Sequence, residues 1–404
     1  MAYTKVKPLM VASYPSSRLT GAFGAISGAS LTGLGDGIDT KSASSDPAIN
    51  TNPSAVGHTW LNKTSGEFFV CTDATTDANV WVNIGGGIGD VWRYQGAIAA
   101  YTAGGCTNTA DTSYIDRIDK YNFAASMSRT TDVGNLSAGK FRNLGTHSDT
   151  HGFSVGGSTT AAVSGYINTI EKYSFTSDGN ATDNGDLAIA YGQGGVTSSH
   201  THGYIFHGAL VGGTGAGDAK HQKHQFATST TAVRLGDLQV TRYASAGNSD
   251  LNDGYSVGGY STGYGTPNVK GEIYKHSYSS GSSSNTKTGD LAAPKSSGTG
   301  NGVSSTTYGY AMGGYNEPSN STDYEKYSFA SGGNGTSAGN LTGARYAGSA
   351  WSSTTNGYTA GGVQPGSSPV LRSSIDQFAF ASEGTMTDIG DLTTAIDSAA
   401  TTHV

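Results

Sequence analysis

One sequence feature constrains this chain more than any other: a strand-like apolar or aromatic segment running into Gly-Gly occurs six times. It ends at Gly105, Gly157, Gly213, Gly259, Gly314 and Gly362, at intervals of 46 to 56 residues. A fixed period of this length marks a stacked repeat, in which each unit buries its apolar face only against its neighbours. Two further landmarks follow each Gly-Gly in the same order. The first is an alternating segment such as Ile118–Phe123, Ile170–Phe175 and Tyr324–Phe329, with divergent copies at His221–Phe226, Ile273–Tyr278 and Ile375–Phe380. Alternation sends Tyr173 and Phe175 to one face and Lys172 and Ser174 to the other, the period of a strand. The second is a turn, Gly134-Asn135-Leu136, Gly185-Asp186-Leu187, Gly236-Asp237-Leu238, Gly289-Asp290-Leu291, Gly339-Asn340-Leu341 or Gly390-Asp391-Leu392. Asp or Asn bonds the nearby backbone there, and Leu re-enters the core.

The ends of the repeat array complement each other. Thr393–Val404 stops where a seventh Gly-Gly strand would begin, and the first such strand, from Ala97 to Gly105, lacks the segment that precedes it elsewhere. The C-terminal segment is therefore expected to join that first sheet, removing the exposed edges of an open array. The expected fold is all-β: a six-bladed β-propeller over 87–404, a small β-meander over 56–86 and an extended attachment segment over 1–55. The meander is read as three strands around Trp60 and Trp81, with Gly85–Gly89 as a flexible link.

With 61 glycines and 13% charged residues, the chain favours strands and tight turns. A net charge of −7 argues against a phosphate-binding surface, so nucleic acid is not an expected partner. Neither a signal-peptide h-region after Lys5 and Lys7 nor a membrane-length apolar run is present, which predicts synthesis in the cytoplasm without membrane insertion. Cys71 and Cys106 fall in different modules and read as free thiols.

The repeat resembles kelch repeats, in which an apolar run, Gly-Gly and a later aromatic mark each four-stranded blade. The Trp usual after the Tyr is missing; Phe123, Phe175, Phe226, Tyr278, Phe329 and Phe380 are expected in its place. The run Gly57–Val70, with Trp81-Val82-Asn83, resembles a short element of tail-fibre and other virion proteins of tailed bacteriophages, marine cyanophages in particular. That resemblance implies a non-enzymatic virion protein, made in the host cytoplasm. Its N-terminal segment would hold other virion proteins and its propeller would meet a host-surface receptor such as a polysaccharide. Head-decoration or tail-nozzle protein is the alternative in the same setting, and carbohydrate-active enzyme the alternative from another class.

A site would be built from residues that break the repeat and converge. Tyr260, Tyr264, Tyr315 and Trp351 lie outside or beside the repeated core positions and are the candidate glycan-stacking aromatics. His200 and His202, two apart and expected on one strand face, are the weak candidates for a metal. The histidine-rich third repeat otherwise aligns with core positions, His224 with Tyr173 and His221 with Ile170. Asp186, Asp237, Asp290 and Asp391 recur at equivalent turns and read as structural. Glu171–Lys172 and Glu325–Lys326 read as pairs covering solvent edges. The Ser-x-Asp-x-Gly-x-x-Trp turns of sialidase-like propellers are absent, and Cys106 is the only repeat-region cysteine for a Tyr–Cys copper site. No catalytic residue and no cofactor are expected.

Overall fold

The computed structural model describes residues 40–85, 94–124, 128–161, 165–210, 217–261, 268–281, 284–296, 302–316 and 319–404. The chain divides into two compact units, Met1–Val91 and Trp92–Val404. Most of the attachment segment, most of the Gly85–Gly89 link and the third Gly-Gly lie outside the described residues.

The smaller unit is one sheet of four strands, β1 (Thr40–Ala43), β2 (Thr59–Asn62), β3 (Phe68–Asp73) and β4 (Val80–Gly85). The predicted meander is β2–β3–β4, and β1 adds a parallel strand from the segment read as extended. The β2–β3 turn is set by Asn62, whose Oδ1 accepts from the Thr64 and Ser65 amides, and by Gly66 at φ +77. Trp60 and Trp81 meet edge-to-face at 6.1 Å.

Among its described residues the larger unit has six antiparallel sheets of four or five strands, numbered I to VI in chain order, and two two-stranded ribbons, Tyr315–Asn316 with Ser319–Asn320 and Val363–Gln364 with Val370–Leu371. Sheet I holds Ala99–Ala103, Arg117–Asn122 and Thr131–Asn135, with the C-terminal strand Ala400–His403 paired along Ala99–Ala103 as the sequence requires. Sheet II begins at Leu144–His147, sheet IV at Ala246–Ser249, sheet V at Val303–Ser304 and sheet VI at Ser349–Ser352. Sheet III begins with Tyr191–Gly192 and Gly195–Ser198, both paired to His202–Leu210. In sheets I, II, IV, V and VI the Gly-Gly segment is the second strand, the aromatic segment the third, and the Gly-Asp/Asn turn ends the fourth; in sheet III two short strands precede His202–Leu210 and the last strand runs on through Gly236-Asp237 to Arg242. Leu136, Leu187, Leu238, Leu291, Leu341 and Leu392 are all buried behind those turns. No α-helix among the described residues is long and apolar enough to cross a membrane.

An aromatic contact joins each sheet to the one before it, and five of the sheets add a second contact beside it. The aromatic closing the third strand packs on the second-strand aromatic of the preceding sheet: Phe175 on Tyr101 (4.8 Å), Phe226 on Phe153 (4.9 Å), Tyr278 on Tyr204 (4.8 Å), Phe329 on Tyr255 (4.8 Å) and Phe380 on Tyr310 (5.5 Å). Phe123 of sheet I packs on Tyr358 of sheet VI at 5.1 Å. These are the six residues expected to stand in for the kelch Trp.

The second contact is matched in polarity. Tyr173 Oη meets Thr402 Oγ1 (2.7 Å), His224 Nε2 meets Thr146 Oγ1 (2.8 Å) and Tyr327 Oη donates to Asn248 Oδ1 (3.1 Å). Where the inner strand carries Val303 or Trp351, the same position is apolar or stacked: Phe378 shares a core with Val303, and Tyr121 lies parallel to Trp351. Trp351, predicted as an exposed glycan contact, is therefore corrected. It is fully buried, and its Nε1 donates to Tyr101 O at 3.0 Å. The matching is testable. Thr402→Val strands a buried phenol and should cost about 1–3 kcal/mol, and adding Tyr173→Phe should recover most of it in chemical denaturation.

The Glu-Lys reading is also corrected. Glu171 and Glu325 do not cover solvent edges; both are buried and ion-paired to cations that enter from just before the inner strand. Lys140–Glu171 (2.6 Å), Arg242–Glu272 (2.8 Å), Lys295–Glu325 (2.9 Å) and Arg345–Asp376 (2.6 Å) repeat this arrangement in sheets II, IV, V and VI. Glu171, Glu325 and Asp376 also accept from the backbone after the fourth strand of the preceding sheet, at the Ser137, Ala292, Ala293 and Thr342 amides. In sheets II, V and VI the pair thus pins the turn leaving one sheet to the third strand of the next. Burial pushes the Glu171 carboxyl up, but the Lys140 ammonium and Ser137 outweigh it and hold the group below the usual carboxylate range.

Candidate functional site

The first strands of the six sheets have two ends, and they differ. At the end carrying His147, Ser198, Ser249, Ser304, Ser352 and His403, hydroxyls join neighbouring strands: Ser198, Ser249, Ser304 and Ser352 accept from the amides of His147, Ser198, Ser249 and Ser304 at 2.8–3.3 Å. The segment Tyr94-Gln95-Gly96 sits across this end. Gln95 Nε2 donates to Ser304 O and Ser353 O, Tyr94 Oη to Ser305 O, and His403 Nε2 to Tyr94 O.

The other end opens into a cavity of about 610 Å³. Residues two before the strand line it in five sheets: Arg142, Gln193, Ala244, Ala347 and Ser398, all left-handed at φ 54–57°. Left-handed backbone is uncommon for non-glycine residues, and its recurrence at one position of five sheets makes it a feature of the repeat. The position before four of these residues, and Ser296 in sheet V, meets the residue after Gly-Gly as an isolated bridge: Phe141–Ser158, Tyr243–Tyr260, Ser296–Tyr315, Tyr346–Val363 and Cys106–Asp397. These variable pairs stand on one repeated frame, and they give the cavity its chemistry.

Part of the wall is aromatic. Tyr243 stacks on Tyr260 at 5.2 Å, Tyr260 packs against Tyr315 at 6.2 Å, and Tyr346 lines the same space. Of the predicted glycan aromatics, Tyr260 and Tyr315 come together here, Tyr260 buried between its neighbours and Tyr315 half-exposed. Tyr264 lies outside the described residues.

The same cavity is also lined by a charged group, Asp111, Arg142 and Asp397. Arg142 Nη2 donates to Asp111 Oδ2 at 2.9 Å, and its guanidinium lies over the Phe141 ring at 4.6 Å. Asp397 is buried beside them; burial and the nearby Asp111 charge push its carboxyl up to about 8, so it is largely protonated at neutral pH. A site that combines rings with convergent donors and acceptors suits a polar, ring-shaped ligand.

His200 and His202 are not part of this cavity, and the expectation that they share a strand face is corrected. His200 occupies the turn before His202–Leu210, 3.7 Å from Asp149, and His202 Nδ1 bonds Thr201 Oγ1 at 2.8 Å. The pair joins no cluster of three metal-ligating groups among the described residues. His207, His221 and His224 are buried core residues of sheet III. Asp186, Asp290 and Asp391 end fourth strands, Asp237 lies within Val233–Arg242, and none of the four lines the cavity.

Asp111, Arg142 and Asp397 are the site residues that the sequence reading missed. The available signal was the alignment itself, because Asp397 places a carboxylate where the other repeats carry Phe141, Tyr243, Ser296 or Tyr346. No protein-family model and no curated protein sequence matches the chain.

Proposed function

We propose that residues 92–404 form a closed six-bladed β-propeller whose open mouth binds a host-surface glycan, within a non-enzymatic virion protein of the tail-fibre or receptor-binding kind. The order of inter-sheet contacts supports the propeller: each sheet packs on its predecessor, and sheet I packs on sheet VI through Phe123–Tyr358 and Tyr121–Trp351. The single observation that carries the binding role is the cavity with residues from every sheet, lined by Tyr260 and Tyr315 together with Arg142, Asp111 and Asp397. Attachment to the particle through the N-terminal segment rests on the Gly57–Val70 resemblance, which falls on the β2–β3 hairpin of the smaller unit.

The acid pair supports binding over hydrolysis. Asp111 is held by Arg142 Nη2 at 2.9 Å, and Asp397 is buried, so neither carboxyl is free to act as nucleophile or general acid on a substrate in the cavity. Immunogold labelling of purified particles from the source tests the assignment. Label at tail tips or fibres is expected; label on the head would move the protein to decoration, and absence from particles would remove the virion role. Against host polysaccharide, Tyr315→Ala and Arg142→Ala should each weaken binding by tenfold or more in titration calorimetry, with unchanged thermal stability.

A further inference from the structure

We infer that Cys106, Asp111 and Asp397 form a zinc site in the wall of the mouth cavity. One ligand atom from each, a thiol sulfur and two carboxylate oxygens, lies within 4.8 Å of the other two. Atoms so spaced share a centre at most about 2.8 Å from each, and zinc bonds of about 2.0–2.3 Å are reached by small side-chain rotations.

The second observation is Asp397 itself. It is 6% exposed, and its Oδ1 is buried without a hydrogen-bond partner. A buried polar atom left unsatisfied is costly and calls for an explanation such as an unseen ion. The repeat sharpens this point: the bridge that holds Phe141–Ser158 or Tyr243–Tyr260 elsewhere holds Asp397–Cys106 here, so both departures from the pattern fall on facing residues.

Charge and ligand type select the cation. A thiolate and two carboxylates bring three negative charges, which a divalent ion and the Arg142 guanidinium neutralise. Arg142 holds Asp111 through Oδ2, leaving Oδ1 for the metal, as a second-shell partner orients a ligand. Sulfur disfavours calcium and magnesium, whereas zinc accepts sulfur and oxygen donors together. Cys106 Sγ now donates to Asn108 O at 3.1 Å, a weak contact that thiolate formation would release. Asp111 and Asp397 line the cavity, so a fourth coordination position would open toward it.

The inference stands apart from glycan recognition and is tested without it. The full chain, stripped with chelator, is titrated with zinc chloride in calorimetry and with cobalt chloride in the near-ultraviolet and visible. One zinc per chain with micromolar or tighter affinity is expected, together with a sulfur-to-cobalt charge-transfer band. Cys106→Ser should abolish the band, and Asp111→Asn, at a half-exposed position, should weaken zinc at least tenfold while the chain stays folded by circular dichroism. Absence of binding at 100 μM zinc, or binding that Asp111→Asn and Cys106→Ser leave unchanged, overturns the site. Binding lost on His200→Ala instead would also overturn it.

Discussion

Replacing Lys140 with Met should destabilise the larger unit by about 3–5 kcal/mol, one of the two largest effects expected of any condition or single change described here. Lys140 and Glu171 are both almost fully buried and 2.6 Å apart, so removing the ammonium leaves a carboxylate with no counter-charge inside the protein. Glu171 keeps its bond from the Ser137 amide, which stabilises the anion but does not neutralise it. The double variant Lys140→Met/Glu171→Leu should recover much of the loss, because a packed apolar pair avoids the desolvation of both ions. Urea denaturation of the single and double variants gives the coupling directly. Additive losses would mean that the pair contributes nothing as a unit.

Acid should destabilise the protein well above the range in which carboxylates titrate. His207 and His224 are held down to about 3 and His403 to about 4, in each case chiefly by burial. These histidines are neutral in the folded protein, whereas in the unfolded chain they take up protons near the ordinary value of about 6.5. Folded values below unfolded ones mean that the stability is fully present above about pH 6.5 and is lost as pH falls toward 4. At pH 5 each such group costs about 2 kcal/mol. Glu171, lowered in the fold, adds a loss of the same sign only below its unfolded value near 4.5. Denaturant midpoints should therefore hold from pH 8 to about 6.5 and fall from there to pH 5, and His224→Tyr should flatten that fall. That variant recreates the Tyr173–Thr402 arrangement at Thr146. A midpoint constant from pH 8 to 5 would contradict the burial of these rings in the neutral form.

What the sequence revealed and what it hid follow from the same physics. Gly-Gly, the alternating aromatic strand and the Gly-Asp-Leu turn are local signals, set by backbone conformation and a period of two, and each recurs six times. They placed the strands, and the pairing of Ala400–His403 with Ala99–Ala103 followed from counting. The buried ion pairs were hidden because Lys140 and Glu171 are 31 residues apart, and an acid alternating with Lys on a strand looks like solvent-facing charge until its partner is known. Trp351 misled for a related reason: it occupies an inner-strand position that holds Thr146, Thr197 or Asn248 in other sheets, so its singularity resembled exposure. Tyr260 and Tyr315 were legible because the residue after Gly-Gly varies freely. Asp397 was not, since its significance depends on facing Cys106 across 291 positions of chain.

The most direct test of the central claim is binding of the purified full chain to polysaccharide from the host surface, measured beside Tyr315→Ala and Arg142→Ala. Saturable binding that both substitutions weaken at least tenfold, with melting temperatures unchanged, is the result expected of recognition through the open mouth. Saturable binding indifferent to both substitutions, or no binding to intact host surface material, would contradict it.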